Sequence, residues 1–158
     1  MRSSIGIDVH KFSKDIPLVI GGVKIDFDKG LEGHSDGDVL VHAVIDSLLG
    51  GAAMGDIGTK FPSNDDDFKD IDSLLLLERT MKLIKEGGWV PTYLDATIVA
   101  QIPSLSPYIQ EMKNNLSNYL KISPDQVNVK ATTTDGLGFL GDSQGIASIA
   151  IATMENII

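Results

Sequence analysis

Cysteine is absent from the sequence. No disulfide, thiolate ligand or thiol nucleophile is available, so any metal site must be built from histidine and carboxylates. The absence is compatible with a reducing compartment, and the expected location is the cytoplasm. Basic residues are in the minority: 13 Lys and Arg stand against 22 Asp and Glu, for a formal charge of −9. An acidic chain without a basic cluster argues against nucleic acid and anionic membrane as partners. No run approaches the roughly 20 apolar residues of a membrane span, and Met1 to Ile7 lack the apolar run of a signal peptide. Phosphate ligands stay open to such a chain, because metal ions and backbone amides can supply positive potential.

The 158 residues favour a single domain over 1–158. Ile5, Ile7 and Val9 alternate with Gly6, Asp8 and His10, which predicts a strand with Asp8 and His10 on one face. Leu18 to Ile25, centred on Gly21-Gly22, reads as a β-hairpin, and Gly30 to Gly37 as a loop. Asp38 to Met54 is apolar over most of a helical circumference and reads as a buried helix that Gly50-Gly51 ends or loosens. Residues 55–70 form a polar, acidic loop. Asp72 or Ser73 caps a helix to Glu86, stopped by Gly87-Gly88. Strands are expected over 93–101, 127–133 and 146–154, with an amphipathic helix over 107–121, a short helix start at 123–126 and a Gly-rich loop over 135–143. This order mixes hairpins with crossovers. It predicts an α+β fold with a mixed β-sheet and helices packed on one face.

The chain has only three histidines, His10, His34 and His42. Asp8-Val9-His10 presents a carboxylate and an imidazole from one strand face. Asp38, His42 and Asp46, spaced i, i+4, i+8, form a polar stripe on the apolar helix. If that stripe faces the strand, Asp8, His10 and His42 make a three-ligand site of the kind found in catalytic zinc centres. Asp38 or Asp46 would then orient His42 from behind. The bland alternatives are polar groups on a half-exposed strand and a hydrogen-bonded core histidine.

Three further segments suit phosphate or sugar. His34-Ser35-Asp36-Gly37-Asp38 runs into a helix start, where amides, a hydroxyl and an imidazole converge; it also reads as an ordinary capped turn. Gly55-Asp56-Ile57-Gly58 and Phe61-Pro62-Ser63-Asn64-Asp65 carry glycines that permit close backbone approach and carboxylates suited to hydroxyls; they also read as a solvated acidic loop. Lys130-Ala131-Thr132-Thr133-Thr134-Asp135 places hydroxyls at a strand end, with Asp135 suited to a hard cation; Thr is equally at home in strands and Asp in turns.

Taken in order, Asp8-Val9-His10, Gly21-Gly22-Val23, His34-Ser35-Asp36-Gly37-Asp38 with His42, Gly55-Asp56-Ile57-Gly58, Phe61-Pro62 and Asn128-Val129-Lys130-Ala131-Thr132-Thr133-Thr134 resemble the 2-C-methyl-D-erythritol 2,4-cyclodiphosphate synthase family of the non-mevalonate isoprenoid pathway. The similarity reaches from the first strand to Gly145-Ile146-Ala147. The resemblance implies conversion of 4-diphosphocytidyl-2-C-methyl-D-erythritol 2-phosphate to the cyclic 2,4-diphosphate with release of CMP. It implies a homotrimer with active sites between subunits. It assigns Asp8, His10 and His42 to Zn2+ or another divalent cation, and Asp135, where the family has Glu, to Mg2+ or Mn2+ bridging the substrate diphosphate. His34 and Thr133 are implied as transition-state stabilisers. Asp8, His10, His34, Ser35, Asp56, Ile57, Gly58, Phe61 and Asp65 are implied substrate contacts. Ala100, Pro103, Ser104, Leu105, Ser106, Ala131, Thr132 and Thr133 make the implied cytidine pocket, with Thr134, Phe139 and Asp142 beside them.

The chain departs from the family pattern at Ser63, Ser104 and the segment Gly141-Asp142-Ser143-Gln144-Gly145, where the family reads Asp, Lys and Gly-Arg-x-Glu-Gly. In the family that Arg faces the mouth of an apolar cavity on the threefold axis that takes isoprenoid diphosphates. Asp142 predicts weak or absent binding of such anions here. Two other functions fit the same residues: a zinc-dependent phosphohydrolase on this scaffold, and a non-catalytic trimeric ligand-binding module.

Overall fold

The computed structural model describes residues 1–158. Five strands form one sheet: β1 (Arg2–Lys14), β4 (Lys29–Leu31), β5 (Trp89–Val99), β6 (Val127–Thr132) and β7 (Gly145–Asn156), in the order β4-β1-β7-β5-β6. Only β5 and β6 run parallel; the other pairs are antiparallel, so the sheet is mixed as expected. The strands β2 (Leu18–Ile20) and β3 (Val23–Ile25) form a separate hairpin. Its turn residues Gly21 and Gly22 have φ of 61° and 71°, the left-handed region that tight hairpin turns require.

The helices α1 (Val39–Gly51), α3 (Ser73–Glu86) and α4 (Ile109–Leu120) complete the core, with the short α2 (Ile57–Lys60) and α5 (Gly138–Gly141) in loops. Helix α1 is apolar nearly all round because it lies between the β1–β7 part of the sheet and α3. Its close approach depends on small residues. Gly6 on β1 has Ala150 on β7 as its cross-strand partner. A Cβ at Gly6 would sit 2.0 Å from the carbonyl oxygen of Ala43 in α1.

The alternation in β1 is therefore inverted relative to the usual pattern. Gly6, Asp8 and His10 face the helix layer, while Ile5, Ile7 and Val9 point away and stay 58%, 58% and 46% exposed. Ile151 and Ile149 stand opposite Ile5 and Ile7 and are also exposed. The helix-free face of the sheet thus carries an apolar strip.

Element boundaries differ from expectation where tertiary pairing overrides local signals. β5 begins at Trp89 rather than Tyr93, with Pro91 accommodated at an irregularity between Pro91 and Tyr93. Gly30 and Leu31 of the expected loop, together with Lys29, pair with β1, and α1 stops at Gly51 instead of Met54. Short helical turns form within the polar loop at Ile57–Lys60 and within the Gly-rich loop at Gly138–Gly141. Asp72 caps α3, accepting from the Leu74 N–H at 2.8 Å, which leaves the Ser73 side chain free for another partner.

Candidate metal centre and its surroundings

Asp8 and His10 leave the same face of β1, and His42 descends from α1 directly above them. His42 Nδ1 lies 3.1 Å from Asp8 Oδ2 and 3.2 Å from His10 Nε2. His10 Nε2 lies 2.6 Å from the same Asp8 oxygen. One ligand atom from each residue thus converges within 4.8 Å. Ligands about 2.0–2.1 Å from a tetrahedral Zn2+ stand about 3.3 Å apart, so the 3.1 and 3.2 Å spacings to His42 Nδ1 fit such an ion, while the Asp8–His10 pair at 2.6 Å would open by about 0.7 Å to receive it. The donor chemistry fits as well, since a carboxylate oxygen and two imidazole nitrogens facing one another need a proton or a cation between them.

Electrostatics tie the three together. Burial would raise the Asp8 pKa, but hydrogen bonds and attraction from His10 and His42 outweigh it and hold the carboxyl well below the usual range. Burial would lower His10, yet Asp8 and a hydrogen bond to the Glu32 backbone raise it above the ordinary imidazole value.

The far side of His42 corrects the expectation that Asp38 or Asp46 orients it. Its Nε2 is 2.8 Å from Ser35 Oγ and 2.9 Å from Ser73 Oγ. Asp38 instead caps α1. Its carboxylate accepts the N–H groups of Val41, Gly21 and Gly22 at 3.0, 2.9 and 2.8 Å, so it staples the β2–β3 turn to the helix start. Complete burial, with Asp36 nearby, pushes Asp38 up to about 6 against those three donors. Asp46 accepts the Ile57 N–H at 3.1 Å and anchors α2. The i, i+4, i+8 stripe is real, but each member has a separate task.

A cavity of about 360 Å³ opens onto Asp8, His10 and His42. It is lined by His34, Ser35, Ile57, Gly58 and Phe61 of the expected substrate contacts, and by Ser63. Asp56 caps α2 through the Thr59 N–H at 2.7 Å and is not part of the lining. Asp65 turns its carboxylate to the Asp67 N–H at 3.0 Å, while its carbonyl oxygen lies 3.0 Å from His34 Nε2. Leu76 of α3 also lines this cavity. Neither Leu76 nor Ser73 was singled out from sequence; the Asp72-Ser73 cap motif was the only signal, and it pointed to helix capping alone.

Ala100, Pro103, Ser104, Leu105, Ser106, Ala131, Thr132 and Thr133 come together around a second cavity of about 390 Å³ at the ends of β5 and β6. Gln101 and Ile102 line it too. Gln101 Oε1 accepts the Gly136 N–H at 3.1 Å and so ties this cavity to the loop carrying Asp135. Asp135 is exposed; its N–H donates to Thr133 Oγ1 at 3.1 Å, and its carboxylate accepts from that hydroxyl at 3.2 Å. Thr134 Oγ1 donates to the Leu137 carbonyl at 2.7 Å. Phe139 is 53% exposed, and Asp142 lies exposed at the end of α5.

The two cavities share no lining residue. They open at the same end of the sheet, because β1, β5 and β6 point the same way. Strands β7 and β5 stand between β1 and β6, a lateral separation of roughly 14 Å at about 4.8 Å per strand. Within one chain the Asp8–His10–His42 centre and the Thr133–Asp135 loop are therefore not brought together.

The YgbB family model matches residues 1–155. The chain belongs to the YgbB family. Two curated relatives named 2-C-methyl-D-erythritol 2,4-cyclodiphosphate synthase match along the chain. The one from Lachnospira eligens is 52% identical over 157 residues, covering 99% of this chain and 86% of the relative. The one from Clostridium beijerinckii is 49% identical over 158 residues, covering 100% of both. The solved CDP complex of IspF from Plasmodium falciparum superposes with a TM-score of 0.85 at 31% identity, covering 99% of this chain and 97% of that one. The YgbB membership agrees with the resemblance carried by the motifs and with the mixed α+β sheet.

Proposed function

We propose that this YgbB protein is a 2-C-methyl-D-erythritol 2,4-cyclodiphosphate synthase, a phosphorus–oxygen lyase of isoprenoid precursor synthesis that takes 4-diphosphocytidyl-2-C-methyl-D-erythritol 2-phosphate to the cyclic diphosphate and CMP. The observation that carries the reading is the Asp8–His10–His42 centre opening into a cavity lined by His34, Ser35 and Gly58, in a chain about half identical over its full length to enzymes of that name.

In the reaction an oxygen of the substrate's 2-phosphate forms a bond to the β-phosphorus, and the bond from that phosphorus to the CMP phosphate breaks. The attacking monoester has a second pKa of about 6 and is already largely dianionic at neutral pH, so no protein base is needed. A divalent cation held by Asp8, His10 and His42, with a second at Asp135, would polarise the diphosphate and neutralise charge on the departing CMP. The protein's own part is placement. His34 stands in the cavity wall with its Nε2–H donated to the Asp65 carbonyl; in its imidazolium form it would also have Nδ1–H to donate to a phosphate oxygen. The Thr133 hydroxyl, donated to Asp135 in the free chain, would play the same part at the second cavity once a cation takes up that carboxylate, with Ala100, Leu105 and Ala131 receiving the cytidine. Holding both ends of one substrate in line contributes roughly 7–11 kcal/mol of barrier lowering.

A homotrimer with sites shared between subunits follows from the same reading. Two features support it: the nucleotide and metal cavities are separate within one chain, and the exposed strip of Ile5, Ile7, Val9, Ile149 and Ile151 is the kind of surface that a second copy covers. The deciding experiment is incubation with the cytidyl substrate, zinc and magnesium, followed by phosphorus NMR. CMP together with a cyclic diphosphate is the expected result. A ring-opened product would identify a phosphohydrolase. A metal-stripped sample that regains no turnover with both metals would point to a ligand-binding module.

A further inference from the structure

Ser73, the first residue of α3, is fully buried beneath the imidazole of His42. Its N–H donates to Asp36 Oδ2 at 2.9 Å, and its hydroxyl donates to Asp36 Oδ1. The same Oδ1 accepts the Asp38 N–H at 3.0 Å. Asp36 is thus an acceptor towards all these partners. A serine hydroxyl has a single proton. With that proton directed at Asp36, what Ser73 presents to His42 Nε2, 2.9 Å away, is a lone pair. Two lone pairs at that distance would repel, so the hydrogen bond exists only if Nε2 carries a proton. Ser35 is compatible with this arrangement. Its oxygen lies 2.8 Å from the same nitrogen and 3.5 Å from Ser73 Oγ, so it can share the Nε2 proton while turning its own towards Ser73. A neutral imidazole protonated at Nε2 has its free lone pair on Nδ1, where a proton on His10 Nε2, 3.2 Å away, can meet it; Asp8 Oδ2, 3.1 Å from Nδ1, draws the proton the other way, so Ser73 and Asp8 compete for it across the ring.

We propose that Asp36 and Ser73 are positioning residues that select the tautomer of His42, fixing its proton on Nε2 so that Nδ1 is presented as a ready metal ligand. The proposal rests on the metal-binding reading of Asp8, His10 and His42. It also accounts for the order of residues in the His34–Asp38 segment. That segment supplies Ser35 and Asp36 to opposite ends of one relay, and Asp38 to the cap of the helix that carries His42.

The test has two parts. Long-range ¹⁵N–¹H correlation spectra of metal-free wild type, taken at alkaline pH where neutral imidazoles prevail, are expected to place the His42 proton on Nε2. Zinc affinity by chelator competition is expected to fall about 10–100-fold in Ser73→Ala, the range for loss of a group that orients a ligand. Ser73→Thr, which keeps the hydroxyl, should restore it. Asp36→Ala should move the His42 proton towards Nδ1, because it removes the acceptor of the Ser73 hydroxyl and frees that proton for Nε2. A wild-type proton on Nδ1 would overturn the proposal, as would wild-type zinc affinity and an unchanged tautomer in Ser73→Ala. If Ser73→Ala does not fold, the wild-type tautomer alone decides. If the wild type takes up no zinc, the metal reading fails, while the tautomer of the metal-free protein still judges the relay.

Discussion

Replacing Gly6 by alanine would drive a methyl group into the helix that carries His42. The added Cβ would lie 2.0 Å from the Ala43 carbonyl oxygen and 2.6 Å from the Ser47 nitrogen, both backbone atoms of α1. Ordinary contact begins near 3.4 Å, so helix and strand must part by about 1.4 Å, the difference between 3.4 and 2.0. No side-chain rotation relieves a clash with backbone. Overpacking of this kind costs about 3 kcal/mol at the upper end of its usual range, which lowers Tm by roughly 6–12 °C for a chain of this size. The candidate metal centre is more sensitive still. Two of its ligands ride on β1 and the third on α1, and the His42 Nδ1 to Asp8 Oδ2 distance is 3.1 Å. Parting the elements moves His42 away from a point that Asp8 and His10 still define. Zinc affinity should therefore fall together with Tm, and turnover by about 10²-fold, the cost of a misplacement near 1 Å. Calorimetry, chelator competition and CMP release measure the three quantities. A Gly6→Ala protein with wild-type zinc affinity and turnover would refute the argument that this glycine sets the ligand spacing.

His42→Ala should lose both zinc and activity, whereas His34→Ala should keep its zinc and lose turnover; equal metal content in His42→Ala and wild type would remove His42 from the ligand set. Zinc binding should weaken as pH falls, because the raised pKa of His10 makes its proton harder to displace. In metal-free protein the sign reverses. The stability supplied by the Asp8–His10 pair is fully present below the ordinary histidine pKa of about 6.5 and is lost as pH rises through the raised value, which thermal melts at graded pH would show. Mixing His42→Ala with Thr133→Ala protein should recover activity on subunit exchange, and exchange without recovery would count against shared sites. Asp142→Arg should gain affinity for geranyl or farnesyl diphosphate in calorimetry, with turnover unchanged, whereas tight binding by the wild type would remove the argument from the carboxylate.

Much of the candidate metal centre was legible in the chain because its parts are periodic. Asp8 and His10 share a face by the period of two in a strand, and His42 interrupts an apolar helix. With no cysteine and only three histidines, few other ligand sets exist. The mixed sheet was legible for a similar reason, since hairpin glycines and helix caps mark where the chain reverses and where it crosses over. Local pattern does not carry the direction in which a side chain turns once an element is packed. Asp38 and Asp46 lie on the His42 stripe, yet one caps its own helix and the other anchors α2, because backbone N–H groups stood closer to them than the imidazole did. Ser73 reads as a helix-start residue. Only the packing of α3 against α1 brings its hydroxyl to His42. Nor does alternation by itself say which face is buried. In β1 the apolar residues point outward and the glycine, aspartate and histidine point in, because α1 needs the space above Gly6 and because the outer face has no helix to cover it. Composition and spacing named the donor atoms; the tertiary structure chose which of them meet, since that choice depends on distances between elements far apart in the chain.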